Sequence, residues 1–359
     1  MFGRLATSVA GAGAVASAGV LAHRSLIRGR NARLLRLDGG RSIDEQYYTQ
    51  IGGIEQWLSV RGADRSNPVL VEIHGGPGAV TSVFTVRTRA WEDHFTVVRW
   101  DMRGAGKTLR RGGEEGQGDL TYDRLYADAL EVVDHVRARL GVERVVLVGH
   151  SLGTGFGVRL VREHPERFSA YVGIDQNVYD GDRDESPYKD LLVRLRAAGK
   201  EKEAAAAEAM GPDHRSWTAE QHALYHRYVM ASNPESLAAL KSVVLPSLWF
   251  SPLHSLPDLP AFFQGMKLSA QIFPDTADFD DWADGTRFEV PFFVFQGAHD
   301  LVTPPGRARR FLDDVEAPAK HFELVEDAAH FAAYSHPDRF LALLLGRVRP
   351  HLTAGRAAG

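Results

Sequence analysis

Short uninterrupted apolar runs alternate along this chain with stretches whose apolar positions recur every three or four residues, the pattern of strands and helices taken in turn. Residues 47–51 and 54–60, separated by Gly52 and Gly53, predict a hairpin. The runs 68–74 (PVLVEIH), 95–101 (FTVVRWD) and 144–149 (RVVLVG) lack the polar alternation of a half-exposed strand. They are expected as strands covered on both faces, the condition of a parallel sheet flanked by helices. Residues 123–140 keep helical spacing and end at Gly141, which predicts an amphipathic helix with a glycine stop. Strand-like runs at 170–175, 290–297 and 321–325 extend an α/β pattern with a largely parallel sheet. Between 176 and 288 helix formers dominate, as in 200–210 and 218–230, and strand-like runs are scarce.

The amino terminus breaks this rhythm. Residues 5–22 carry no charge and are rich in Ala, Gly, Val and Leu, a length at the lower limit for crossing a bilayer. Arg4 precedes the segment, and Arg24, Arg28, Arg30, Arg33 and Arg36 follow it. As a membrane anchor it would leave the following domain on the cytoplasmic side, because positive flanks stay inside. Ala16-Ser17-Ala18 also fits a cleaved secretory signal, and a surface-lying leader is the third reading.

Composition narrows the chemistry. The 359 residues are 44% apolar and 25% charged, a globular balance with room for one large domain and an insertion. The absence of cysteine removes thiolate nucleophiles, disulfides and cysteine metal sites. With 42 Lys and Arg against 46 Asp and Glu, the chain has no cationic surplus for a phosphate backbone, so no nucleic-acid partner is expected.

Gly149-His150-Ser151-Leu152-Gly153 lies where the run RVVLVG meets a helical stretch at 152–163. A serine with glycines two positions either side, between strand and helix, is the pattern of a nucleophile elbow. A serine hydroxyl needs a base to take its proton and a carboxylate to orient that base. In chain order serine, acid, histidine, Asp300 follows the run 290–297 and His330 follows 321–325, which assigns Asp300 as orienting acid and His330 as general base. His150 and His299 are rivals for the base but sit beside proposed catalytic residues; Asp327 and Glu326 are weaker rivals for the acid. The oxyanion of a tetrahedral intermediate needs two backbone donors, one after the serine and one from the loop after the third strand. Leu152 and either Gly75 or Gly76, in His74-Gly75-Gly76-Pro77-Gly78, meet that requirement. No cofactor and no metal is needed for such chemistry.

HGGPG, the stretch Asp101-Met102-Arg103-Gly104-Ala105-Gly106-Lys107-Thr108, the GHSLG elbow, GAHD and EDAAHF together resemble the proline iminopeptidase branch of the α/β-hydrolase superfamily over roughly residues 45–350. The resemblance implies a mostly parallel eight-stranded sheet with helices on both faces and an inserted helical cap. Residues 38–175 and 289–359 would then form the hydrolase core, 176–288 the cap, and 1–37 an apolar then basic leader. It also implies a serine hydrolase acting on a small molecule or short peptide through an acyl-enzyme. An aminopeptidase releasing N-terminal residues is the first reading; a carboxylesterase or thioesterase is the second, and a non-catalytic binding protein the third. Leu152 and Met102 stand where similar enzymes carry Trp and Gln, and no Trp-Glu cap signature for a substrate amine is present. The acidic residues Asp182, Asp184 and Glu185 near the start of the cap are candidates to meet an ammonium, or simply an exposed acidic loop. Residues 245–263, rich in proline and aromatics, are expected to pack on the main domain or line a pocket. GAGKT lacks the first glycine of a phosphate loop, since that position is Asp101. Asp101 and Arg103 are expected instead to pair and shape the loop beneath the site.

Overall fold

The computed structural model describes residues 2–76, 78–181 and 184–352, with 2–17 described by backbone alone. Pro77 and Asp182 lie outside the described residues. Strands β1 (Ile43–Ile51), β2 (Ile54–Gly62), β3 (Val69–Ile73), β4 (Thr96–Asp101), β5 (Val145–His150), β6 (Phe168–Ile174), β7 (Phe292–Gly297) and β8 (Lys320–Val325) form one sheet. Their order is β1-β2-β4-β3-β5-β6-β7-β8. Only β2 runs against its neighbours; β3 to β8 are parallel.

The continuous apolar runs follow from coverage of both faces. Along β5, Val145 and Leu147 enter one buried cluster while Val146 and Val148 enter the other, so neither side of the strand tolerates a polar residue. Helix α1 (Phe2–Leu34) precedes the sheet, and α2 (Gly106–Gly112) follows β4. Helix α3 (Tyr122–Leu140) opens with the Thr121 side chain accepting from Arg124 N–H and closes at Gly141 in the left-handed conformation, φ 64°. That residue is the stop expected from the sequence, and glycine holds it without steric cost. Helix α4 (Leu152–Glu163) follows β5 directly.

Between β6 and β7 the chain inserts α5 (Ser186–Ala197), α6 (Glu201–Met210), α7 (Ala219–Ala231), α8 (Pro234–Ala239), α9 (Leu245–Phe250) and α10 (Asp258–Ser269). Helix α11 (Pro305–Asp314) lies between β7 and β8. Within the proline-rich stretch, Leu248 and Phe262 are buried in the cluster that holds Val146 and Val148, while Leu245, Phe262 and Phe263 face the cavity described below, so both expectations for 245–263 are met, Phe262 serving both.

No helix among the described residues is long and apolar enough to cross a membrane; the side chains of residues 2–17, which include most of the stretch 5–22 expected as an anchor, lie outside the described residues. Two of the arginines that follow this stretch tie α1 to the insertion. Arg24 Nε and Nη2 donate to the carbonyls of Trp249 (2.9 Å) and His254 (3.2 Å), and Arg28 to those of Ser251 and Pro252 (both 3.0 Å). Asn31 reaches Phe250 O at 3.0 Å. These carbonyls lie at and beyond the end of α9, where helix carbonyls lack internal partners, so the basic part of α1 caps the insertion.

One expectation is corrected: Asp101 and Arg103 do not pair. Arg103 binds Asp128 of α3, Nε to Oδ2 at 2.8 Å, and Gly52 O at 2.7 Å. Asp101 accepts from Ser82 Oγ and Lys107 N, each at 2.9 Å. Burial pushes its carboxyl up to about 6 against these hydrogen bonds. A guanidinium reaches further than adjacency in sequence suggests, and the nearest carboxylate in space lies on another element.

Candidate active site

The elbow is forced by close packing. Ser151 sits between β5 and α4 at φ 53°, an uncommon conformation for a residue with a side chain. A Cβ on Gly153 would lie 2.7 Å from His74 O and press on Ile73 O. A Cβ on Gly75 would lie 2.5 Å from His150 O and 2.7 Å from Ser151 Cβ. The glycines therefore let β3, its following loop and the elbow share one small volume. His74 fixes that loop from within: its Nδ1 lies 2.9 Å from Gly75 O, and its Nε2 accepts Met102 N–H at 3.2 Å. Burial brings its pKa down to about 4, so it is a neutral ring at pH 7.

The structure brings together the three residues named as catalytic. His330 Nε2 lies 3.1 Å from Ser151 Oγ, and His330 Nδ1 lies 2.8 Å from Asp300 Oδ2. All three are buried. Asp300 is held as an acceptor: Oδ1 takes the N–H groups of Val302 (2.8 Å) and Thr303 (3.1 Å), and Oδ2 takes Thr303 Oγ1 at 2.7 Å. With Nδ1–H donating to this carboxylate, Nε2 is left to accept the serine proton. Burial opposes protonation of His330, but the charge of Asp300, its hydrogen bond and the charge of Asp175 outweigh it and raise the pKa above 6.5. Gly75 packs against Ser151, Leu152 is the first residue of α4, and Gly76 and Leu152 line the same cavity as Ser151.

The rivals are placed elsewhere. His299, Glu326 and Asp327 are exposed. His150 is buried beside the His330 ring, 5.4 Å between centroids, and packs against Phe331 and Tyr334. The sequence reading missed Asp175, at the end of β6. Its Oδ2 accepts from Phe331 N (2.7 Å) and Ala332 N (3.1 Å), and its Oδ1 from Gly297 N at 3.3 Å. It thereby holds the segment carrying His330 against β7. An acidic residue ending a buried strand was the available signal. Among the described residues, Asp175, Asp300 and His330 are the one grouping at metal-ligand spacing, but both nitrogens of the ring are already engaged by Ser151 and Asp300.

Above the serine lies a cavity of about 580 Å³. Its lining mixes core residues (Gly76, Val80, Phe84, Ser151, Leu152, His330) with residues of the insertion such as His222, His226, Leu240, Phe262 and Phe273. Burial brings the pKa of His222 down to about 4 and of His226 to about 3, so both are neutral at pH 7.

A sheet of this order, with a serine at the β5–α4 turn and a histidine after the last strand, defines a hydrolase of the α/β class. The α/β hydrolase fold family matches residues 68–337, and the chain belongs to that family. A probable aminopeptidase of Bacillus subtilis is 26% identical over 318 residues, covering 84% of this chain and 95% of that protein. The crystal structure of a proline iminopeptidase-related protein from Thermus thermophilus superposes with a TM-score of 0.57 at 20% identity, over 87% of this chain and 99% of that one. A thermophilic esterase from Thermogutta terrifontis gives 0.54 at 18% identity, over 88% and 100%. These two structures share the fold.

Proposed function

We propose that the protein is a serine hydrolase that cleaves esters or amides through an acyl-Ser151 intermediate. The supporting observation is the His330 ring held between Ser151 Oγ and Asp300. Ser151 Oγ attacks the substrate carbonyl as His330 Nε2 takes its proton; Leu152 N–H and a donor from Gly75 or Gly76 stabilise the oxyanion. His330 then protonates the leaving group, and water repeats the sequence to release the acid. Asp300 keeps the ring in its tautomer and stabilises the imidazolium.

An aminopeptidase of the prolyl iminopeptidase type is supported by the HGGPG and elbow motifs and by the Bacillus subtilis relative. A carboxylesterase or thioesterase is supported by the apolar cavity, with helices 176–288 as its cap. A fluorophosphonate should label the wild type stoichiometrically, Ser151→Ala not at all, and His330→Ala at least about 10³-fold more slowly. Failure of the wild type to label, or labelling that survives Ser151→Ala, overturns the proposal.

A further inference from the structure

An enzyme that requires a free substrate amine must offer it an anion, because an ammonium loses its hydration on entering a cavity. Among the described residues, the carboxylates lining this cavity are Asp180, Asp184 and Glu185, at the start of the insertion. Each already faces a cation of the protein. Arg307, on α11 of the core, places Nε 3.3 Å from Asp180 Oδ2, and its Nη2 lies 3.8 Å from Asp184 Oδ2 and donates to Asp184 O at 3.1 Å. Arg310 binds Asp184 Oδ2 at 2.8 Å, and Lys189 binds Glu185 at 2.8 Å.

The exposed Glu185–Lys189 pair is weak. The Arg307 contacts differ, because the guanidinium is 19% exposed and the Asp180 side chain 9%. Breaking such a pair to admit another cation would leave a guanidinium facing an ammonium in a poorly hydrated space. Arg227 adds a further positive charge to the lining, and the neutral rings of His222 and His226 add none. Most of the remaining wall is apolar, with uncharged polar residues such as Gln176, Asn177 and Thr276 among it.

We infer that Arg307 fills the cation position between Asp180 and Asp184, so that the cavity receives an uncharged apolar acyl group in preference to one bearing a free α-ammonium. This rests on the acyl-Ser151 reading and decides between its two substrate classes. Arg307 is then a specificity-determining residue contributed by the core, facing carboxylates at the start of the insertion.

The test uses two esters of one carbon skeleton, methyl 4-methylpentanoate and leucine methyl ester, which differ by the α-ammonium. Each kcat/KM on the full chain at pH 6.5 is divided by that ester's own alkaline hydrolysis rate. The uncharged ester should be favoured by about tenfold or more. Arg307→Gln should move the ratio toward the leucine ester by about tenfold, mainly through KM, while Asp184→Asn should move it the other way. A ratio compares two substrates on the same folded molecules, so partial loss of active protein leaves it unchanged. A wild type that prefers the leucine ester, or a ratio that neither substitution moves, overturns the inference and leaves the serine hydrolase reading intact if fluorophosphonate still labels Ser151. No turnover together with no labelling overturns both.

Discussion

The floor of the cavity and its roof come from one chain but are held by different forces. On the floor, Ser151, Gly75 and His74 are fixed by backbone in contact with backbone, where a single added methyl has no room. Above it, the helices of the insertion are tied by side chains reaching carbonyls and carboxylates across the molecule: Arg24 and Arg28 from α1, and Arg307 from α11. The floor thus resists displacement of the reacting atoms, while the roof changes shape or charge by replacing one long side chain. On the acyl-Ser151 reading proposed above, chemistry belongs to the first and substrate choice to the second.

The largest expected effect lies on the floor. Asp300→Asn should lower kcat by about 10⁴-fold with little change in KM, the scale of loss when a triad carboxylate becomes an amide. Because the neutral imidazole is the working base, kcat/KM of the wild type should fall as pH drops through a pKa above 6.5. The residual activity of Asp300→Asn should lose its acid limb at a lower pH, since the charge that raises that pKa has gone. A variant retaining both rate and pH profile would remove Asp300 from the mechanism.

Next, Gly153→Ala should cost about 1–3 kcal/mol of global stability by overpacking, read from the urea midpoint at unchanged slope. An unmoved midpoint would show that the elbow yields where the contacts say it does not. Smaller and local, Arg24→Ala should speed hydrogen exchange in 245–258 while the global midpoint moves by about 1 kcal/mol or less. Should that substitution instead lower the midpoint as far as Gly153→Ala, roof and floor would be one cooperative unit and the contrast would fail.

Legibility in the sequence divides along the same line. The strands that carry the site were readable because burial on both faces leaves an unbroken apolar run, as in VVLVGH of β5. The elbow was readable because tight turns accept few residues, Asp300 because it follows such a strand, and His330 because it follows the half-exposed strand-like run 321–325 in the order serine, acid, histidine. Asp175 escaped notice because its partners, the N–H groups of Phe331 and Ala332, lie more than 150 positions away in sequence. Arg103 was paired with its neighbour Asp101 because the true partner, Asp128, is set by how α3 packs over the sheet. That Arg24 and Arg28 reach carbonyls at 249–254 was not legible, because nothing local tells of unpaired carbonyls so far along the chain.

What the amino-acid sequence determined by itself is the alternation of elements, the serine at the bend and the order of the residues that serve it, since periodicity and turn sterics act within a few residues. Which carboxylate each arginine meets, where α1 docks, and what charge the cavity presents were decided only in the folded chain. Long flexible side chains choose partners by distance in space, and that distance is a property of tertiary packing.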